Sequence, residues 1–244
     1  CTPKGRMLGL FRVFRTEDSF YLRLPADTLD AVLQRLRMFV LRADARLEDA
    51  SEAFVRIGVA GRKAADMLAA VAGQAVPGEV NAVTRAGDLT ILRVPGVQPR
   101  FEVYAASIDA AKDLWDALNV DAAPVGMSAW RLLEILSGLP AVYAGTSELF
   151  VPQMANLQLV DGVSFKKGCY PGQELVERMD SRGADAPQAI RIVEIDEGVG
   201  RGDTLVDGSG AAVGTVTSVA PAGGLALALV KRGHEVGRLP AHLG

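Results

Sequence analysis

The chain has 244 residues, 49% of them hydrophobic and 23% charged, with a formal net charge of −3. That length holds one large core or roughly two to three small domains. The acidic balance, with no basic block, gives bulk electrostatics no part in nucleic-acid binding. No apolar run approaches the ~20 residues of a membrane span, and no signal peptide is evident. The two cysteines, far apart in sequence, fit a reducing, cytoplasmic setting better than a disulfide framework.

Residues 7–15 and 20–24 flank Thr16-Glu17-Asp18-Ser19 and are predicted to pair as a β-hairpin. Leu29, Val32, Leu33, Leu36, Phe39 and Val40 recur at helical spacing, with Asp27 as the expected cap. A strand over 53–59, a helix over 62–71 and strands over 88–94 and 101–105 follow. Ser107 is expected to cap a helix to about residue 118. A further helix over 127–137 is stopped by Gly138 and Pro140. Residues 139–170 read as a long irregular segment, a length uncommon without a function.

After Pro187 the pattern changes to short strands over 190–195, 203–206, 211–219 and 225–230, separated by glycine-rich turns. This predicts a small antiparallel β-barrel. The fold class is therefore α+β, with a body over 1–185, in two subdomains, and a C-terminal barrel over 186–244.

Few motifs carry chemistry. Gly198-Val-Gly-Arg-Gly202 has the wrong spacing for a dinucleotide loop and reads as a turn. His234 and His242 lie in the tail without a ligand cluster, so no metal site is predicted. Two cysteines are too few to hold a conventional iron–sulfur cluster.

The informative run is Lys-Lys-Gly-Cys-Tyr-Pro-Gly-Gln-Glu at 166–174. Pro171 suits the first position of a helix, so Cys169 is expected just ahead of a helix N-terminus and beside Lys166 and Lys167. Both effects favour thiolate over thiol. An inert cysteine in a plain turn is the competing reading of the same residues. Lys166, Lys167, Arg178 and Arg182 gather positive charge, partly cancelled by Glu174, Glu177 and Asp180. They form either a solvated patch or an attractor for an anionic ligand tail. Tyr170 suits a stacking role or the core equally.

Lys-Gly-Cys-Tyr-x-Gly-Gln-Glu, Lys167 to Glu174, resembles the signature of the YgfZ family of folate-binding proteins, which are similar to the T-protein (aminomethyltransferase) of the glycine cleavage system. Pro152-Gln153-x-x-Asn156-Leu157 resembles the approach to that signature, and Thr2-Pro3-Lys4-Gly5-Arg6 resembles another family segment. The resemblance spans essentially the whole chain, with its specificity concentrated in residues 150–178. It implies a T-protein-like folate-binding body and, as ligand, tetrahydrofolate or another reduced folate. It also implies iron–sulfur enzymes or apoproteins as partners, tRNA-modifying ones included, and no direct contact with nucleic acid or membrane. Cys169 would be the reactive thiol and Lys167 its electrostatic partner. Asn156, Lys166, Tyr170, Gln173, Glu174 and Arg178 would shape the ligand site. Family members usually carry an earlier segment, so the chain is expected to start inside a longer protein, and Cys1 receives no role.

Two departures matter. Gly9 and Leu10 stand where T-proteins carry an acidic pair, and Leu136 stands where their Leu-Glu-Ala-Gly carries a glutamate. Uncharged residues transfer no proton. A shared fold without the shared reaction is therefore expected. The other readings are a folate-dependent aminomethyl (one-carbon) transferase and a non-enzymatic adaptor for iron–sulfur apoproteins.

Overall fold

A computed structural model describes residues 1–16, 19–160, 162–164, 166–181, 186–220 and 224–234, with the backbone alone for 179–181. Arg182, His242, the side chain of Asp180 and the boundary expected near residue 185 lie outside the described residues. Ten strands and five α-helices are described. No described helix is long and apolar enough to cross a membrane.

The chain opens with the hairpin β1 (Arg12–Arg15) and β2 (Phe20–Arg23), then a 3-10 turn at Ala26–Thr28 and α1 (Leu29–Arg37). The hairpin starts later than the sequence pattern predicts. Met7 instead bridges to another segment: its N–H donates to Phe150 O at 3.0 Å and its carbonyl accepts from Glu148 N at 2.8 Å. Asp27 does not cap α1; its carboxylate accepts from Ala144 N at 3.2 Å.

β3 (Val55–Ala60), β4 (Val83–Ala86), β5 (Leu89–Val94) and β6 (Arg100–Ala105) form an antiparallel sheet in the order β3-β6-β5-β4. β4 is a four-residue edge strand without an apolar alternation, so the sequence pattern misses it. Helices α2 (Ala64–Ala72) and α3 (Ile108–Leu118) cover one face, where Leu68, Ile91, Phe101, Val103 and Leu114 are buried. Ser107 caps α3 as expected, accepting from Ala110 N at 3.1 Å. The opposite face packs Leu92, Val94 and Tyr104 against Phe14 and Tyr21 of the hairpin and Trp130. Alternation along β6 therefore puts Arg100, Glu102 and Tyr104 on a buried face.

α4 (Met127–Leu136) leads into 3-10 turns at Ala144–Thr146, Pro152–Ala155 and Leu157–Leu159, then α5 (Gln173–Ser181). The final sheet comprises β7 (Gln188–Glu194), β8 (Thr204–Val206), β9 (Ala212–Ala220) and β10 (Leu225–Lys231), antiparallel in the order β7-β10-β9-β8. It is an open sheet, which corrects the expected barrel: among the described residues β7 and β8 are edges and do not pair with each other. Four strands, one of them three residues long, are too few to close. Closure is also unnecessary. The inner face, with Ile190, Ile192, Leu227 and Leu229, is covered by Met7, Ile135, Val142, Phe150 and Leu157. Short strands with glycine turns have one sequence signature whether the sheet closes or is covered by another element.

Candidate functional site: an anchored cysteine loop

The site is built on Tyr170-Pro171-Gly172-Gln173. Gln173 N–H donates to Tyr170 O at 3.2 Å, and Gly172 has φ +84°. Pro at the second position and a positive-φ Gly at the third give a turn of type II character. α5 therefore starts at Gln173, two residues after Pro171, because the left-handed Gly172 cannot belong to the helix. The Gln173 side chain closes this start, accepting from Tyr170 N at 3.2 Å while its amide donates to Glu177.

Gly172 is fixed by a second constraint. A Cβ there would lie 2.4 Å from Thr2 O and 2.6 Å from Gly5 N. The N-terminal residues thus lie against the turn with no room for a side chain. α5 is anchored from below. Val176 is fully buried, and its carbonyl accepts from the buried Gln153 Nε2 at 2.7 Å. Gln153 belongs to the Pro-Gln-x-x-Asn-Leu segment, and the sequence gives no sign of this anchoring role.

On this anchored frame the loop faces outward. Lys166, Lys167, Gly168 and Cys169 are exposed, and Cys169 is a free cysteine. Lys167 Nζ sits over the Tyr170 ring, 4.6 Å from its centroid, a cation–π contact. Lys166 N–H donates to Ser164 Oγ at 3.4 Å. Tyr170 is half-buried; burial, and then the nearby Glu177 carboxylate, push its hydroxyl above the ordinary tyrosine range. Glu174 and Arg178 lie exposed on α5. The loop thus brings together Lys166, Lys167, Cys169, Tyr170 and Gln173.

Asn156 lies at the junction of two 3-10 turns. It is 8% exposed and left-handed at φ +56°, a conformation asparagine tolerates. Its Nδ2 and the Oε1 of Gln153 are buried without partners among the described residues.

A second cluster went unseen in the sequence. Arg23 Nη2 pairs with Glu134 at 2.8 Å and Glu102 at 3.3 Å. Arg131 donates to Glu134 at 3.0 Å and to Tyr143 OH at 2.9 Å, and Tyr104 OH donates to Glu102 at 2.6 Å. Arg201 then lies over the Tyr143 ring at 4.0 Å. The chain of charges ties the hairpin, β6, α4 and a turn of the C-terminal sheet together. Arg100, 1% exposed, donates to Leu133 O and Ser137 Oγ, each at 3.1 Å, closing the C-terminus of α4. Burial lowers its pKa to about 10.

No protein-family profile matches the chain. It is 33% identical over 184 residues to the tRNA-modifying protein YgfZ of Colwellia psychrerythraea, covering 75% of this chain and 55% of that protein. The chain belongs to the YgfZ family. It spans about half the length of this curated relative, 55%. The fold also matches the crystal structure of glycine cleavage system aminomethyltransferase T from Bartonella henselae, with a TM-score of 0.70 at 19% identity over 94% of this chain and 66% of that one. Identity this low shows a common fold, so the body of this chain is T-protein-like. Gly9 and Leu10 lie among apolar groups. A Cβ on Gly9 would meet Val32 Cγ2 at 2.7 Å, and Leu10 packs on the core that contains Ile135.

Proposed function

We propose that this chain carries a folate site and a working thiol, and that it supports assembly or maintenance of iron–sulfur enzymes, tRNA-modifying ones among them. The observation that carries the reading is an exposed thiol on a loop whose base is locked. Gly172 is pressed onto the N-terminal turn and α5 is held through Val176, while Cys169 points at nothing in the core. Function concentrates on loops set on rigid supports. Such a thiol is presented to a partner, as a nucleophile or as a ligand for iron or sulfur. Two exposed free cysteines also suit a reducing cytoplasm.

For folate, the support lies in polar groups with capacity to spare. The buried Asn156 Nδ2 and Gln153 Oε1 offer one donor and one acceptor, the complement of a pterin amide edge. Lys166 and Lys167 suit the glutamyl carboxylates. A reduced folate, when bound, carries one-carbon units on its ring nitrogens; the residues here bind and orient it. The cavity between Asp27, Tyr143, Gly145, Thr146 and Arg201, about 230 Å³, is lined by none of these residues. It is also smaller than the ~300–1,000 Å³ of typical small-molecule sites. The folate reading therefore rests on the amides and lysines.

Calorimetric titration with tetrahydrofolate, on this chain and on the full-length protein, tests the ligand. Saturable binding is expected. At a hundredfold excess over Kd it should stabilise the fold by about 2.7 kcal/mol. Absence of heat and of any thermal shift in the full-length protein would remove folate from the account.

A further inference from the structure

Residues 1–6 form a tight turn, with Gly5 N–H donating to Thr2 O at 2.9 Å and Thr2 N–H donating to Arg6 O at 2.8 Å. That turn lies against the base of the cysteine loop. Gly172 is in close contact with Thr2 O and Gly5, and Gly5 in turn abuts Leu175 and Gly172 O. Cys1 is one residue from Thr2, and Cys169 is three residues before Gly172. Three residues of chain reach at most ~10 Å, so the only two cysteines of the sequence border one contact. Both are exposed. Lys167, Gly168 and Cys169 make no backbone hydrogen bond among the described residues, and a disulfide to Cys1 requires the loop tip to bring the two Cα atoms within about 7 Å.

We propose that Cys1 is the resolving thiol for Cys169, and that oxidation of Cys169 ends in a reversible Cys1–Cys169 disulfide. This rests on the reading of Cys169 as a reactive thiol. With a peroxide as oxidant, the Cys169 thiolate attacks one oxygen and the O–O bond breaks. This leaves a sulfenic acid on Cys169 and a hydroxide. The Cys1 thiolate then attacks the Cys169 sulfur. The S–S bond forms, the S–O bond breaks, and the second hydroxide leaves. The two thiol protons and the two hydroxides end as water. A dithiol reverses the step by exchange. The disulfide withdraws Cys169 from partners and staples the N-terminal turn to the loop. Cytosolic disulfides of this kind are transient and redox-sensing.

The test treats the protein and its Cys1→Ser variant with hydrogen peroxide in the presence of dimedone, followed by peptide mapping and a non-reducing gel. In the wild type the peptides of Cys1 and Cys169 should be joined within a monomer, and dithiothreitol should separate them. Cys1→Ser should give several-fold more dimedone adduct at Cys169. Equal adduct in both proteins, or a junction found only between two chains, would overturn the pairing and leave Cys169 a reactive thiol. If Cys169 neither oxidises nor alkylates in either protein, the thiol reading fails, and the pairing with it.

Discussion

Gly172 is the residue on which the loop turns. Its φ of +84° and its contact with Thr2 O both exclude a side chain. The left-handed backbone alone costs an L-residue about 1–2 kcal/mol, and the neighbour here is backbone that cannot swing away. Gly172→Ala should therefore lose more than ~2 kcal/mol in urea unfolding. Gly168, four residues earlier, has open space around its Cβ position. Gly168→Ala should stay within about 0.5 kcal/mol. Equal effects of the two substitutions would show that the turn is not anchored. At this scale the sequence was partly legible. The Lys-Gly-Cys-Tyr-x-Gly-Gln-Glu pattern marks the loop, and Pro-Gly marks a turn. Helical periodicity cannot show that Gly172 touches residues 2–5, because that contact is long-range. The same limit hid Gln153, whose bond to Val176 spans 23 residues.

At the scale of elements, α4 is held by charge as well as by packing. Burial raises the pKa of Glu134, but Arg23, its hydrogen bond, Arg131 and Arg100 outweigh burial and hold the carboxyl below its ordinary value of 4.5. A carboxyl lowered by folding stabilises the protein above its unfolded pKa, and that contribution fades as pH falls through the folded value. Glu134→Gln should cost about 2 kcal/mol near neutral pH, less than a fully buried pair, because Arg23 and Glu134 are only partly buried. Because wild type loses this contribution in acid, the two stability curves should converge as pH drops below the ordinary carboxyl range. A gap that stays constant into acid would contradict the assigned network. Sequence periodicity located α4 to within a residue or so of each end. It could not show that Glu102 and Tyr104 face Arg23, since strand pairing decides which polar residues meet. The barrel expectation failed for a related reason. Strand spacing is local, whereas the covering of Ile190 and Leu227 by Met7 and Phe150 is not.

At the scale of the whole molecule, a T-protein-like body carries an exposed cysteine loop. Gly9 abuts Val32 and Leu10 packs on the core, and neither uncharged residue can transfer a proton. The full-length protein should form no methylene-tetrahydrofolate from an aminomethyl-loaded lipoyl carrier. Turnover at a T-protein's rate would restore the transferase reading.

In the proposed function Cys169 works outside the fold. Complementation by Cys169→Ala in cells lacking the full-length protein, with iron–sulfur enzyme activity as the readout, tests it most directly. Because the thiol is exposed, the substitution should change stability by no more than about 0.5 kcal/mol. The expected result is a stable protein that leaves iron–sulfur enzyme activity as low as in the deletion. Full complementation by Cys169→Ala would contradict it.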